Sequence, residues 1–393
     1  MSKIIELINK NKNHIIDIKS IKDNSNYIKS IVNKLNKEKI IIISGIKNIG
    51  KTQIIGEMIK KTKIESKFFY FNHNLDNENI IKNDIDLKNM INIEVNFNKN
   101  IKYIFLQNIS KIENIKDLII YLYKSDFKVI LIGNDIKIPN IEEIEIKNNV
   151  NDDIEKDIIY GNLGKTYYLN NTNFKKEYIN LIKDNILLNQ IFCLKSVKNI
   201  NLYNLIITKL AFLEKDISLR EFHRDIEKVN NISLVTMMDY IDFSIQEKII
   251  KRIEFFDFKT NNIKVNKSRY YFCDNGFRNC LINFSLSRQL LLENIVFVLL
   301  NYNNYDIYTG INGVFEINFY AKKDKQEIIV HISKQKDINN IKKEIRKLQK
   351  IRGDIKKYLI IEKETKYNLK ETTFGEVEMV TIEELIKKFR TSF

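Results

Sequence analysis

The sequence predicts an α/β protein: a parallel-sheet domain first, then a helical, winged-helix-like middle, then a smaller α/β unit at the C-terminal end. Three observations predict this. The run Lys39-Ile40-Ile41-Ile42-Ile43 reads as a strand buried on both faces, because consecutive β-branched residues suit the interior of a parallel sheet. Gly45-Ile46-Lys47-Asn48-Ile49-Gly50-Lys51-Thr52 follows at once as G-x-x-x-x-G-K-T, and Gln53 to Ile59 reads as the helix behind it. From there to about residue 134, apolar strand segments alternate with helical ones, the order of a doubly wound sheet.

In chain order, residues 1–38 place Ile4, Ile5, Leu7 and Ile8, then Ile28, Ile31, Val32 and Leu35, at helical spacing. The glycine-loop strand and helix extend to about residue 63, and Phe68–Asn72 reads as a second strand. Residues 76–100 are polar and give no clear period. Lys102–Asn108 is an apolar strand, Ile115–Tyr123 a helix, and Lys128–Asn134 a strand with a polar end. Pro139, the single proline, follows. A second GKT, Gly161-Asn162-Leu163-Gly164-Lys165-Thr166, has its glycines too close together to form a phosphate cradle. Residues 174–212 read as helices. Ser218–Phe222 and Ile232–Tyr240 read as short helices and Ile249–Ile253 as a β-wing, which is either a winged helix or a small helical subdomain. From about residue 285 come a helix (Leu290–Leu300), strands near Asp306–Thr309, Val314–Tyr320 and Glu327–Ile332, and a charged helix (Ile338–Lys350). Strands Tyr358–Glu362 and Glu376–Val380 and a last helix, Ile382–Phe389, complete the order.

Composition narrows the function. With 44% hydrophobic and 11% aromatic residues, 393 residues make a globular chain of two or three domains. The +15 net charge comes from lysine used everywhere. No arginine precedes Arg220, although arginine is the residue that best forks onto phosphate and guanine, so the charge predicts only weak, salt-sensitive attraction to polyanions. Three scattered cysteines form no disulfide framework and four separated histidines no metal cluster. No leader or spanning segment is evident, and the expected location is cytoplasmic.

The glycine loop carries the chemistry. Gly45 and Gly50 let the backbone turn N–H groups onto phosphate oxygens, the helix N-terminus adds a positive dipole end, Lys51 reaches the β- and γ-phosphates, and the Thr52 hydroxyl can hold Mg²⁺. The expected ligand is ATP with Mg²⁺, bound by residues 45–52 and Gln53. The strand Lys102–Asn108 is where the second acidic motif of such an ATPase belongs, yet its end is Gln107-Asn108. An amide carries no charge for a metal and cannot take a proton from water near neutral pH.

Several local patterns then align with one family. The chain resembles prokaryotic AAA+-type P-loop ATPases that carry a winged helix and a C-terminal domain related to PD-(D/E)XK nucleases, a restriction-endonuclease-like fold. Tyr103-Ile104-Phe105-Leu106-Gln107-Asn108-Ile109-Ser110 is similar to that family's "YIFLDEIQ" with both acids replaced. Leu131-Ile132-Gly133-Asn134 is similar to its "ITGS" strand, which makes Asn134 a candidate sensor of the γ-phosphate. Leu163-Gly164-Lys165-Thr166, with Phe174-Lys175-Lys176-Glu177-Tyr178, is similar to "SGRT…LSFKEY", with Lys165 in place of the arginine. Tyr271–Asn279 is similar to "YFLDTGLRN", Leu291–Phe297 to "LLENLVF" and Glu316–Phe319 to "EVDF", while Val330–Ser333 sits where "IEVK" is expected. The resemblance implies a nuclease-like centre at Glu293, Asn318, His331 and Ser333 of which only Glu293 keeps its acid, a poor Mg²⁺ site and a domain without nuclease chemistry. A lone histidine on an apolar strand, like His331, is more often packed than ligating.

The expected domains are N-terminal helices (1–38), a P-loop ATPase core (39–170), a helical and winged-helix-like region (171–284) and a PD-(D/E)XK-like domain (285–393). The expected function is an ATP-binding AAA+-like pseudoenzyme, with weak or absent hydrolysis and nucleotide as a structural or switching ligand. The alternative is a DNA- or protein-binding module in which the P-loop is a relic. A third option is a slow ATPase that uses a displaced acid such as Glu113.

Overall fold

The computed structural model describes residues 2–19, 24–134, 136, 138–151, 153–193, 197–213, 217–285, 288–363 and 373–391. The chain divides into two units, Met1–Ile146 and Lys147–Phe393.

In the first unit, apolar residues three and four apart drive two helices: α1 (Ser2–Asp17) buries Leu7, Ile8 and Ile15, and α2 (Ser25–Lys37) buries Ile28, Ile31 and Leu35. Then come β1 (Ile40–Ser44), α3 (Lys51–Lys61), β2 (Phe68–Asn72), α4 (Asp84–Phe97), β3 (Tyr103–Gln107), α5 (Ile115–Lys124), β4 (Lys128–Ile132) and β5 (Glu142–Glu145). All pairings are parallel, and the five strands lie in the order β2-β3-β4-β1-β5. The register aligns the carboxyl ends in one row: Ile43 pairs with Ile132, Ile132 with Gln107, and Gln107 with Asn72. One face of the sheet gives Ile40, Ile42, Phe69, Phe71, Ile104, Leu106, Val129 and Leu131 to a core shared with α1, α4 and α5.

In the first unit, α4 and β5 escape the sequence pattern. α4 buries Leu87, Met90 and Ile91, but interleaved asparagines blur its period. Its signal was local: Asn83 and Asp86 form a capping box. β5 is an edge strand with only Ile144 buried, so it has no apolar run to read.

The second unit begins with α6 (Ile154–Tyr160) and α7 (Thr172–Ile186), which continues as a π-helical stretch, Leu187–Phe192. Residues 194–196, inside the run predicted helical, lie outside the described residues. α8 (Ile200–Phe212), α9 (Leu219–Glu227) and α10 (Leu234–Gln246) precede a hairpin, β6 (Ile250–Asp257) and β7 (Asn262–Phe272). Ile217, between α8 and α9, makes an isolated antiparallel bridge to Ser268 on β7. Next are α11 (Asn275–Leu281), α12 (Arg288–Tyr302), β8 (Asp306–Asn312), β9 (Phe315–Lys323), β10 (Gln326–Ile332), α13 (Ile338–Gln349), β11 (Ile355–Ile360), β12 (Thr373–Phe374), β13 (Val377–Val380) and α14 (Ile382–Thr391).

Eight strands form one sheet, β12-β13-β11-β10-β9-β8-β6-β7. The run Ile249–Ile253, expected as a wing, falls mostly in β6, which pairs in parallel with β8 through Phe255 and Thr309. Alternate residues of β10 serve two cores: Ile328, Val330 and Ile332 pack with α12 and α14, while Ile329 faces α13. Residues 147–170, read from sequence with the P-loop core, pack inside this unit, where the Asn275 and Asn279 side chains each donate to the Ile158 carbonyl at 3.0 Å. Among the described residues, no helix is long and apolar enough to cross a membrane.

Candidate functional site

The loop between β1 and α3 is built by backbone geometry that a glycine-poor chain keeps for special places. Gly45 has φ 138°, and a Cβ there would lie 2.5 Å from the Ile146 carbonyl oxygen. Gly50, with φ 114°, occupies the N-cap of α3, where its left-handed backbone starts the helix without a side-chain cap. The Lys51 ammonium folds over the loop and donates to the Gly45 carbonyl and, at 3.2 Å, to the Ile46 carbonyl. Asn134, just past β4, accepts the Gly45 N–H at 2.9 Å, so the fold joins the sensor candidate to the loop itself. On the other side of β1, Ser44 donates to Glu143 of β5.

At the row of strand ends the Gln107 and Asn108 amides are both hydrogen-bonded. The Gln107 amide lies against the Thr52 hydroxyl, with Nε2 at 3.0 Å and Oε1 at 3.2 Å. The Tyr70 hydroxyl of β2 donates to Gln107 Oε1 at 2.8 Å. Burial holds the Tyr70 pKa well above its ordinary value, so it is protonated and a donor. Asn108, in left-handed backbone at φ 55°, donates through Nδ2 to Asn72 at 2.9 Å, and the Asn72 N–H donates to Asn11 at 2.8 Å. Gln107 and Asn72 are both buried. The network of Thr52, Tyr70, Asn72, Gln107, Asn108 and Asn11 is neutral throughout. Glu113, the displaced-acid candidate, is exposed, and its backbone bridges to Asn83 at the start of α4.

A nucleoside triphosphate fits this loop. The Gly45 cradle leaves the backbone bare where a Cβ would intrude, and Lys51 and the start of α3 supply positive charge. Among the described residues, the side chain bonded to Thr52 is the Gln107 amide, itself bonded to the Tyr70 phenol, and an amide is a poorer partner for hydrated Mg²⁺ than a carboxylate. Among the described residues, no group of three or more His, Cys, Asp or Glu side chains could hold a metal.

Lys165 lies in the second unit, exposed, with its N–H donating to the Tyr178 hydroxyl at 3.2 Å. The same unit contains Glu293, Asn318, His331 and Ser333, the residues expected from sequence to form a degenerate nuclease centre. The pairing of β8 with β9 shifts between Tyr308–Tyr320 and Gly310–Ile317, so Asn318 and Phe319 together face Thr309 in a bulge. Asn318 accepts the Ile332 N–H at 2.9 Å. Glu293 of α12 accepts from Arg269 at 2.9 Å and from the Tyr271 hydroxyl at 2.6 Å, both on β7, and Arg269 also donates to Glu316. Arg269 and Glu293 side chains are only 10% and 11% exposed, so the ion pair is buried. The His331 ring packs edge-on against Phe315 at 5.1 Å. Burial first, then the positive charges of Lys334, Lys347 and Arg269, lower its pKa to about 4, so the ring is neutral near pH 7 and its buried Nδ1 has no hydrogen-bond partner. Ser333 donates its N–H to the Ile360 carbonyl at 2.9 Å. The single acid of this centre therefore carries a guanidinium.

The sequence reading missed Tyr70, Asn72, Arg269, Tyr271 and Glu316 as members of these centres. Tyr70 sits in an all-aromatic run, and Arg269 and Tyr271 reach Glu293 only through the packing of β7 on α12, so no local pattern marks them.

Residues 37–140 match the family model described as an AAA domain. The chain is 23% identical over 371 residues to an uncharacterized protein of Methanocaldococcus jannaschii, covering 82% of this chain and 81% of that protein. Among solved structures, the Walker-type ATPase of Pyrococcus abyssi is similar at TM-score 0.47 and 11% identity, over 66% of this chain and 95% of that one. The Aeropyrum pernix ORC1 protein, solved in complex with DNA, is similar at TM-score 0.32 and 10% identity, over 70% and 96%. Both structural likenesses are partial. The family match falls on the segment that holds the glycine loop and the parallel strands, and residues 37–140 are a P-loop, AAA-type ATPase-like domain.

Proposed function

We propose that this protein binds ATP at Gly45–Gln53 and hydrolyses it slowly or not at all, so that nucleotide acts as a structural or switching ligand. The carrying observation is the end of β3, where the Gln107 amide rests on the Thr52 hydroxyl and the Asn108 amide on Asn72. In this reading Lys51 and the loop N–H groups hold the phosphates, and Asn134 couples the loop to the end of β4. No side chain of the neutral network can accept a proton from water near pH 7. Loss of a general base costs about 10²–10⁴ in rate. A ligand that binds one state better shifts the population toward that state, so slow turnover suits a switch. The test is fluorescent ATP binding with Mg²⁺ present and phosphate release followed in the same sample. Binding with negligible release supports the proposal. Steady turnover refutes the pseudoenzyme reading, and no binding refutes the nucleotide reading.

Within this proposal, residues 39–170 are the ATPase segment, 171–284 a winged-helix region that starts with α7, and 285–393 an inactive nuclease-like domain with Glu293 tied up by Arg269. A second reading, a DNA- or protein-binding module, also has a specific observation behind it. Three helices, α8 to α10, followed by the β6–β7 hairpin and the Ile217–Ser268 bridge follow the order of a winged helix. Arg220, Arg224 and Arg252 are exposed there and suit phosphate contacts. The exposed side of α10 instead carries Asp239 and Asp242, and α10 has no Lys or Arg, which suits a protein partner better than a DNA groove. Salt-dependent duplex binding that ignores ATP would favour the DNA arm of this second reading.

A further inference from the structure

We infer that Tyr70, through Gln107, sets this P-loop to hold a nucleoside triphosphate without a divalent cation. The inference rests on the nucleotide-binding reading above and adds its metal requirement.

It follows from the direction of three hydrogen bonds. A primary amide has one accepting and one donating end, and its orientation is assigned from its partners. The Tyr70 hydroxyl donates to Gln107 Oε1 at 2.8 Å. That turns Nε2 toward Thr52, where it lies 3.0 Å from Oγ1, while the Thr52 O–H donates to Oε1 at 3.2 Å. The Thr52 hydroxyl oxygen therefore receives an N–H, which takes up one of the two lone pairs a hydroxyl can offer a metal. The donating end of the amide thus lies against the Thr52 hydroxyl oxygen. A carboxylate at position 107 would have the opposite sign there. Among the described residues, the polar groups next to Gln107 at the strand ends are uncharged: Asn72 and Asn108 are bonded to each other at 2.9 Å. The carboxylate bonded to Ser44, Glu143, belongs to β5, on the side of β1 away from β4 and β3. The positive charge that a triphosphate needs is left to Lys51 and the start of α3. Tyr70 is a positioning residue, since it acts on the site only through Gln107.

The experiment is equilibrium titration of the full chain with a fluorescent ATP analogue, once with Mg²⁺ and once with EDTA. Wild type, Tyr70→Phe and Gln107→Asp are compared, and the affinity ratio between the two buffers is the readout. The wild-type ratio should stay within about threefold, and Gln107→Asp should favour Mg²⁺ by about tenfold or more, a step of about 1.4 kcal/mol. Tyr70→Phe releases Oε1 from the phenol and frees the amide to turn Nε2 away from Thr52, and should move the ratio in the same direction by a smaller amount. A merely structural role for Tyr70 would weaken binding equally in both buffers. A wild-type protein that loses about tenfold or more of its affinity in EDTA overturns the inference while leaving the nucleotide reading intact. A Tyr70→Phe ratio equal to wild type overturns the role of Tyr70. No binding in either buffer overturns the nucleotide reading and this inference with it. If Gln107→Asp fails to fold, as judged by its circular dichroism, the wild-type ratio and Tyr70→Phe still decide.

Discussion

Replacing Arg269 with methionine removes the counter-ion of a buried carboxylate and should destabilise the second unit by about 3–5 kcal/mol. The geometry sets that range. Arg269 and Glu293 are 10% and 11% exposed, their N–O distance is 2.9 Å, and Glu293 also accepts from the Tyr271 hydroxyl at 2.6 Å. Glu316, 39% exposed, keeps access to water, so its loss of the same arginine adds at most about 1 kcal/mol. For a unit of this size 1 kcal/mol moves the melting midpoint by about 2–4 °C, which predicts a drop of about 6–20 °C. The assay is urea and thermal unfolding of the full chain followed by far-ultraviolet circular dichroism. The decisive comparison is the double variant Arg269→Met with Glu293→Gln, which leaves no unpaired charge. Its cost should fall short of the sum of the two single variants by about 2 kcal/mol. A single-variant cost below about 1 kcal/mol, or additivity within about 0.5 kcal/mol, would refute the buried ion pair as the organising contact of this centre.

Other outcomes follow from the same geometry. Lys51→Ala should abolish the thermal stabilisation by ATP, which for wild type at a hundredfold excess over its dissociation constant is about 2.7 kcal/mol, and an unchanged shift in the variant counts against the loop as the site. Gly45→Ala should cost about 1–3 kcal/mol and weaken nucleotide binding, because φ is 138° and the new Cβ meets the Ile146 carbonyl at 2.5 Å; chemical denaturation with and without ATP checks both. The His331 ring, with its pKa lowered to about 4 by burial, stays neutral in the folded protein where an unfolded histidine takes up a proton. Its contribution is thus complete above about pH 6.5, declines as pH falls from there toward 4, and amounts to about 3 kcal/mol in all. The difference in stability between wild type and His331→Gln should shrink across that window, and a difference independent of pH would refute the assignment.

The P-loop was legible because its requirements are local. Gly45, Gly50, Lys51 and Thr52 meet through consecutive backbone geometry, and a strand and helix on either side complete the signal. Strands such as Tyr103–Gln107 and Lys128–Ile132 were equally plain, since a strand buried on both faces is apolar throughout. That amides, not acids, stand at Gln107 and Asn108 could also be read directly from the chain. β5 and α4 were harder, one because an edge strand keeps polar residues and the other because its asparagines hide the helical period.

What the sequence by itself determined is therefore the phosphate loop, the strands that carry it and the absence of charge at the end of β3. Only the tertiary structure decided what those neutral groups do. Tyr70 and Gln107 are separated by 37 positions and meet because β2 and β3 pair in parallel with Asn72 opposite Gln107. Arg269 finds Glu293 because β7 lies against α12, and through that contact an isolated acid became half of a buried ion pair. The physical reason is the same in both cases: a hydrogen bond or ion pair takes its sign and direction from its partner, and the partner is chosen by strand register and packing rather than by neighbours in the chain.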